Sequence, residues 1–177
     1  IALVVASVFF YPIAFNKCDK DTMIYIYPEM NDEAIADSLK SRLGEEFGEK
    51  TVLALKLVDA KLENRVGAYK IAEGTSPYRA ARLLQQGAQS PVKFAFNYVR
   101  TIDQFAERVS KKLLMSKEDL LTLLTDAEFC KKYDKSLETI VSIFQPDTYE
   151  FYWTVSPQDF VDKMHSYCNR FWNEERV

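Results

Sequence analysis

The amino-acid sequence predicts an α+β fold, in which a βααβ unit is followed by a mainly helical region with a few strands. Short apolar runs typical of strands alternate with helical patterns in the first half of the chain. In the second half, hydroxyl residues placed three positions before an acid or an amide mark helix starts. With 177 residues, 47% of them hydrophobic, the chain can bury a substantial core in one domain or two small ones.

The first predicted element is a short apolar strand, MIYIYP, from Met23 to Pro28. Asn31 then caps a first helix. The run TVLALKLVDAKL, Thr51 to Leu62, predicts a second helix, and RVGAYKI, Arg65 to Ile71, predicts a return strand. These elements form the predicted βααβ unit, whose first helix should bury a stripe of three aliphatic residues: Ile35, Leu39 and Leu43.

A third helix and a third strand follow this unit. Residues Pro77 to Gln86 have a helical pattern that ends at Gly87, a residue type that favours the turn closing a helix. The segment VKFAFNYV, Val92 to Val99, alternates large apolar residues with smaller or polar ones. That alternation predicts a strand with one buried face.

The rest of the chain is predicted to be mostly helical, with helices starting after Thr101, Ser116, Thr125 and Ser156. The last start has the strongest signal, because proline follows the serine and Asp159 lies in the first turn. Its helix should bury an apolar stripe made of Phe160, Met164, Cys168 and Phe171. Two aromatic neighbours, Tyr167 and Trp172, are also assigned to a core stripe.

The first fifteen residues, IALVVASVFFYPIAF, carry no charge. A membrane-spanning helix needs about 20 apolar residues, so we interpret residues 1–16 as the remnant of an N-terminal transmembrane helix. A buried core segment is the alternative, and a signal peptide is disfavoured because no basic region or cleavage site is present. The chain stops at FWNEERV directly after a helical pattern, so we expect the sequence to be truncated at both ends.

Composition excludes several classes of function. The net charge is −3 and no Lys/Arg run exceeds two residues, which argues against a nucleic-acid partner. The three cysteines, Cys18, Cys130 and Cys168, are too few and too scattered for a disulfide framework. With His165 as the one histidine and no CxxC or HxxxH spacing, we expect no metal site.

Two motifs carry a resemblance to a known family. The first is GAYKIAEGTS followed by a helix that ends in LLQQG, and the second is PDTY at Pro146 to Tyr149. In this order and at this distance they resemble the endolytic murein transglycosylases of the MltG (YceG-like) family. The resemblance covers essentially the whole chain.

The resemblance implies a single-pass protein of the inner membrane with most of the chain on the periplasmic side. It implies a LysM-like βααβ module with a linker helix at residues 17–90 and the N-terminal part of a transglycosylase domain at residues 91–177. Such enzymes cleave nascent peptidoglycan strands to 1,6-anhydro-muramic ends without a metal or cofactor. The partners implied are glycan strands, the inner membrane and peptidoglycan synthases.

The reaction implied by the resemblance needs one glutamic acid, because the substrate's own 6-hydroxyl replaces the second carboxylate of ordinary glycosidases. In the family this glutamate lies in a motif like A-S-I-[IV]-E-x-E-[TS], which this sequence does not contain. Glu174 and Glu175 lack the apolar lead-in that would bury an acid. No catalytic residue is therefore assigned, and a noncatalytic LysM-like peptidoglycan-binding module is the alternative function.

The stretch FQPDTYEFYW, Phe144 to Trp153, has two interpretations. In the first, PDTY is a structural turn, and Phe151 and Trp153 belong to the core. In the second, which rests on the resemblance, aromatic faces and polar tips line a glycan groove. The substrate-binding residues of that groove would be Asp147, Thr148, Tyr149 and Tyr152.

Overall fold

A computed structural model describes residues 13–97 and 99–172 of the chain. It divides into two compact units, Ile1–Ser90 and Pro91–Val177, here called the N-terminal and C-terminal units. Each unit contains helices and a two-stranded antiparallel sheet. The predicted α+β fold class is confirmed.

The N-terminal unit has the predicted βααβ order, followed by a third helix. Strands β1 and β2 pair antiparallel, in a register that runs from Thr22↔Ile71 to Ile26↔Gly67. This pairing closes the unit, because the two helices between the strands pack against one another beside the sheet. The elements are β1 (Thr22–Ile26), α1 (Asp32–Leu43), α2 (Glu45–Leu57), β2 (Gly67–Ile71) and α3 (Pro77–Gln86).

Helix α1 begins where the sequence predicts and buries two of the three residues of its predicted stripe. The Asn31 side chain accepts a hydrogen bond from the backbone N–H of Ala34 at 2.8 Å, which satisfies one of the free donors of the first turn. Ile35 and Leu39 are buried in the core of the unit. Leu43, the third residue of the predicted stripe, is only partly buried against that core.

Helix α2 differs from the prediction at both ends, since it begins six residues before Thr51 and ends five before Leu62. Its start follows Gly44, whose φ of 86° lets the chain reverse between α1 and α2 within one residue. At its end, the N–H groups of Asp59 and Ala60 donate back to the carbonyls of Lys56 and Leu55. This closing motif places Asp59 in the left-handed region, with φ 48°.

The C-terminal unit contains the second sheet and mostly short helices. Strands β3 and β4 pair antiparallel, in a register that runs from Val92↔Phe151 to Ala95↔Thr148. A 3-10 helix at Ile140–Ile143 precedes β4. The other elements are β3 (Val92–Ala95), α4 (Ile102–Ser110), α5 (Lys117–Leu124), α6 (Ala127–Lys131), β4 (Thr148–Phe151) and α7 (Pro157–Phe171).

An aromatic core joins this sheet to its helices. The buried ring of Phe94, on β3, lies 6.3 Å from the ring of Phe105 and 6.0 Å from that of Phe160. Phe151, on β4, lies 4.7 Å from Phe160. The predicted alternation holds along β3, although the strand ends at Ala95 rather than Val99. The packed face of the sheet is therefore the one formed by the large apolar residues.

Three of the four helix caps predicted for the C-terminal unit are confirmed. The side chains of Thr101, Ser116 and Ser156 each accept a hydrogen bond from the N–H three residues on. The prediction for Thr125 is wrong, because the cap of α6 is Asp126, which accepts from the N–H of Glu128. The hydroxyl of Thr125 instead donates to a carbonyl of the preceding helix α5.

The C-terminal end of α7 also corrects the sequence analysis. Phe160, Met164 and Cys168 are buried as predicted. Phe171 and Trp172, however, are exposed by 41% and 53%, so their assignment to a core stripe is wrong. Tyr167 is half-buried at the border of the packed face.

The predicted transmembrane remnant is mostly outside the part of the chain that the structure describes, since residues 1–12 are not described. Within residues 13–97 and 99–172, no helix has the length and apolar character needed to cross a membrane.

Candidate functional site

The motif GAYKIAEGTS is accounted for by the fold of the N-terminal unit. Tyr69 is buried, and its hydroxyl donates to the backbone carbonyl of Arg65 at 2.7 Å. A Cβ added to Gly67 would lie 2.5 Å from the Gln89 side chain, so β2 runs close to the segment after α3. The hydroxyl of Ser76 caps α3. Gly67, Tyr69 and Ser76 therefore serve the packing and capping of the unit.

The motif PDTY contains a buried tyrosine. Tyr149 is 4% exposed, and its hydroxyl donates to the backbone carbonyl of Gln145 at 2.6 Å. Its ring stacks on Phe96 at 5.9 Å. Burial, followed by the nearby negative charge of Asp147, raises the pKa of the Tyr149 phenol to about 12. The Tyr149 ring completes the core of the C-terminal unit, which favours the structural interpretation of PDTY for this residue.

Asp147 and Thr148 are exposed at the start of β4. The N–H of Phe96 donates to the carbonyl of Asp147, which places the backbone groups of Thr148 and Glu150 on the edge away from β3. There the carboxylate of Asp147 accepts from the N–H of Thr148 at 2.6 Å. Asp147 therefore covers a free backbone donor of the strand edge and keeps one oxygen for other contacts.

Tyr152 is 57% exposed directly after the other end of β4. At about 3.3 Å per residue, it lies roughly 13 Å along the strand from Thr148. The structure therefore brings Asp147 and Thr148 together and leaves Tyr152 apart from them. A ligand that contacts all three would have to be extended along β4.

A cavity in the N-terminal unit was not predicted from the sequence. It has a volume of about 670 Å³, within the usual range for small-molecule sites. Residues of α1, of α2 and of the loop after α2 line it. The apolar lining consists of Ile35, Ala36, Val52, Leu55, Ala60 and Leu62.

The rim of this cavity carries charges of both signs. Its acidic groups are Asp32, Glu33, Asp37 and Asp59, and its basic groups are Lys40, Lys56 and Lys61. Apolar walls with polar groups of both kinds at the rim suit a ligand that has apolar faces and many hydroxyl or amide groups. An amino sugar has this character, since its C–H faces are apolar and its edges are polar.

The cavity could not be predicted from the sequence, because no single stretch of residues forms it. The lining of α1 faces that of α2 only because Gly44 reverses the chain in one residue. Asp59 reaches the rim of the cavity because α2 ends in a left-handed turn at this residue. The sequence instead predicts that the helix continues to Leu62. The one sequence signal was the cluster of charges on the predicted polar faces of both helices, which usually indicates solvent exposure.

Among residues 13–97 and 99–172, three carboxyl groups have shifted pKa values, and all three shifts are downward. A lysine ammonium donates a hydrogen bond to each carboxylate, from Lys70 to Asp21, from Lys50 to Glu46 and from Lys111 to Glu107. An acid that protonates a glycosidic oxygen near neutral pH needs a raised pKa instead. These three groups therefore have the wrong shift for that role.

Metal ligands do not cluster in the part of the chain that the structure describes. No group of three or more His, Cys, Asp or Glu side chains there could hold a metal ion.

The βααβ unit with its cavity and the aromatic-cored second unit define an α+β protein built from two compact units. A sequence model of the YceG-like family matches residues 24–177. The chain belongs to the YceG-like family. No curated protein matches it in sequence.

The chain is also similar to the 2.6 Å crystal structure of a yceG-like protein from Listeria monocytogenes. The two sequences are 20% identical, and the superposition has a TM-score of 0.45. The similarity covers 89% of this chain and 57% of the other. The chain thus spans little more than half the length of that relative.

Proposed function

We propose that this chain belongs to an endolytic peptidoglycan lytic transglycosylase, which cleaves nascent glycan strands to 1,6-anhydro-muramic ends during cell-wall assembly. The observation that carries the proposal is the family match over residues 24–177, which includes both motifs of the resemblance. The cavity adds support, because its apolar lining and mixed rim suit an amino sugar.

In this proposal, the chain holds and orients the glycan. The reaction requires one protonated carboxyl group to donate to the glycosidic oxygen, while the 6-hydroxyl of the same sugar attacks the anomeric carbon. A carboxyl group with that role needs a poorly hydrated pocket that raises its pKa. We assign no catalytic residue in this sequence, because the glutamate motif that the resemblance implies is not within it.

A noncatalytic peptidoglycan-binding module is the second candidate. It is favoured by the position of the cavity, whose lining lies entirely within residues 32–62 of the N-terminal unit. Binding there would need nothing from the C-terminal unit. A module of this kind would attach its protein to the wall without cutting it.

The proposal includes a location and partners. The apolar N-terminal segment would anchor the protein in the inner membrane up to about residue 12, with the bulk of the chain on the periplasmic side. Ile13 would lie outside the membrane, because it is buried in the core of the N-terminal unit. Glycan strands would be the substrate, and peptidoglycan synthases would be the protein partners. Tagged full-length protein in osmotically shocked cells should be cleaved by added protease, and protection from the protease would contradict the periplasmic location.

Sedimentation with purified sacculi tests glycan binding, and analysis of the released muropeptides tests strand cleavage. We expect the 177-residue chain to sediment with sacculi without forming 1,6-anhydro products. Anhydro products above the no-protein control would contradict the assignment of no catalytic residue. A chain that stays in the supernatant at every protein concentration would overturn both candidate functions.

A pair of matched variants tests whether the cavity holds the glycan. Asp59→Gly removes a rim carboxylate at a backbone conformation that glycine adopts easily. Asp134→Gly makes the same change at φ 55° in the C-terminal unit. We expect only Asp59→Gly to weaken sedimentation with sacculi. Equal binding by the two variants would show that the Asp59 carboxylate takes no part.

A further inference from the structure

One side of α7 carries a row of two cations and an aromatic ring. Lys163, Tyr167 and Arg170 are spaced by four and three residues, which places them along one face of the helix. Lys163 and Arg170 are exposed, and Tyr167 is half-buried. We call these three residues the α7 ladder.

The structure holds the cations of the ladder close to aromatic rings. The Nζ atom of Lys163 lies 4.9 Å from the ring centroid of Phe151 and 5.9 Å from that of Tyr167. The guanidinium carbon of Arg170 lies 4.7 Å from the same Tyr167 ring. Cation–π attraction at these distances favours this arrangement before any ligand binds.

Two further contacts fix the ladder to the core. Lys163 donates to the backbone carbonyl of Glu150 on β4 at 2.7 Å. The Tyr167 ring meets the buried Tyr149 ring edge-on at 5.0 Å. A ligand would therefore meet side chains that are already positioned, which reduces the entropy lost on binding.

The positive charges of the ladder are not neutralised by carboxylates in the part of the chain that the structure describes. The ion pairs there involve lysines at positions 50, 70, 111, 117 and 131, and neither Lys163 nor Arg170 takes part in one. The ammonium of Lys163 has two donors left after its bond to Glu150, and a guanidinium has five donors. In a chain with a net charge of −3, this is a local site for an anion.

We propose that the α7 ladder binds a carboxylate carried by the glycan strand, together with a neighbouring pyranose ring. The carboxylate would accept hydrogen bonds from Arg170 and Lys163, and a pyranose C–H face would pack on the exposed part of Tyr167. The exposed side chain of Phe171, on the next residue of α7, extends the apolar surface. This inference rests on the proposed function and identifies a subsite that recognises the negative charge of the glycan strand.

The shared ligand chemistry is a carboxylate attached to a polymer of pyranose rings, and two sources supply it in peptidoglycan. A peptide-free strand carries free lactyl carboxylates on its muramic acid units. In a peptide-bearing strand those groups are amidated, and the carboxylates lie on the stem peptides. A chitin oligosaccharide has similar rings and acetamido groups but no carboxylate.

Calorimetric titration of the 177-residue chain with these three probes tests the proposal. We expect Arg170→Gln to weaken binding of a carboxylate-bearing probe about tenfold, as for the loss of one charge-assisted hydrogen bond. Binding of the chitin oligosaccharide should not change. Arg108→Gln, an exposed arginine on α4 of the same unit, is the matched control and should bind all probes like the parent.

The outcomes separate the subsite from the proposed function. A loss limited to peptide-free strands identifies the lactyl carboxylate, a loss limited to peptide-bearing strands identifies the stem peptide, and either supports the ladder. If the parent binds glycans and Arg170→Gln binds every probe equally well, the ladder proposal is overturned and the proposed function stands. If the parent binds none of the probes, both are overturned. Equal thermal melting curves of the two variants would exclude unfolding as the cause of a loss.

Discussion

At the scale of single residues, Tyr149 shows how a polar tip can belong to a core. Its ring is enclosed by Phe96 and Tyr167, while its hydroxyl donates to the Gln145 carbonyl. Because the buried hydroxyl has a partner, the cost of removing it from water is offset. In the sequence, a tyrosine between the polar residues Thr148 and Glu150 suggested a groove. Its burial could not be predicted, because the hydroxyl donates to a backbone carbonyl, and the residue types do not show where that carbonyl lies.

We expect Tyr149→Ala to lower the free energy of unfolding by about 3–5 kcal/mol, as aromatic-to-alanine changes in cores do. Tyr149→Phe should cost only about 1 kcal/mol, because it removes one hydrogen bond and keeps the ring. Urea unfolding of the two variants gives both values. The exposed Tyr152 is the control, and Tyr152→Ala should stay within about 0.5 kcal/mol of the parent. Equal losses for Tyr149→Ala and Tyr152→Ala would contradict the structural role.

The raised pKa of Tyr149 predicts a loss of stability in alkali. The folded state keeps the proton to a pKa of about 12, whereas the unfolded phenol releases it near its ordinary value of 10.0. The stabilising effect is therefore complete below pH 10 and is lost as the pH rises from 10 toward 12, because the unfolded state then binds fewer protons. Unfolding midpoints measured across pH 9 to 11.5 should fall less steeply for Tyr149→Phe than for the parent. Parallel curves would show that this phenol does not titrate differently on folding.

At the scale of elements, the junction of α1 and α2 is tightly packed. Gly48, in the first turns of α2, faces the backbone of α1, where an added Cβ would lie 2.4 Å from the Cα of Lys40. The helices meet here with no side chain between them. Lys40 also lines the cavity, so this close approach of the two helices lies beside that site.

We expect Gly48→Ala to lower the free energy of unfolding by about 1–3 kcal/mol, because the added methyl group forces α1 and α2 apart. Chemical denaturation of the variant measures this loss. Glu49→Ala, at the next and exposed position of α2, is the control and should change stability by less than about 0.5 kcal/mol. A Gly48→Ala variant more stable than the parent would contradict this prediction, because it would mean that α1 accepts the added methyl group without a loss of packing.

Whether a helix end could be predicted from the sequence depended on the interaction that defines it. The caps at Asn31, Thr101 and Ser156 were predictable because each bond joins a side chain to the backbone three residues away. The end of α2 was not, because Asp59 takes the left-handed position that glycine usually marks. The exposure of Phe171 could not be predicted either. Helical spacing shows that Phe171 lies on the apolar face of the helix, but it does not show whether another element packs on that part of the face.

At the scale of the whole molecule, the order βααβ and the α+β class were predictable, because they depend on patterns along the chain. The cavity was not, because it arises from packing between α1 and α2. Both tryptophans, Trp153 and Trp172, lie in the C-terminal unit. Trp153 is 4% exposed and Trp172 is 53% exposed, so the change in fluorescence on unfolding should come mainly from Trp153.

Because the core cluster that includes Ile35 and Leu39 lies wholly in the N-terminal unit, we expect Gly48→Ala to act on that unit alone. When the unfolding of this variant in denaturant is followed by far-ultraviolet circular dichroism, an additional transition should appear at a lower denaturant concentration than in the parent. The midpoint followed by tryptophan fluorescence should not move. Identical shifts of both signals would show that the two units unfold as one.

The edge of β4 has a consequence for the protein in concentrated solution. An uncovered strand edge offers backbone groups to which a strand of another molecule can add, and this is a route to aggregation. Here the Asp147 carboxylate occupies the N–H of Thr148, and the Lys163 ammonium occupies the carbonyl of Glu150. A strand arriving from another molecule would have to displace both charged groups to begin pairing. The same two side chains that are candidates for glycan contact thus also protect the molecule from self-association.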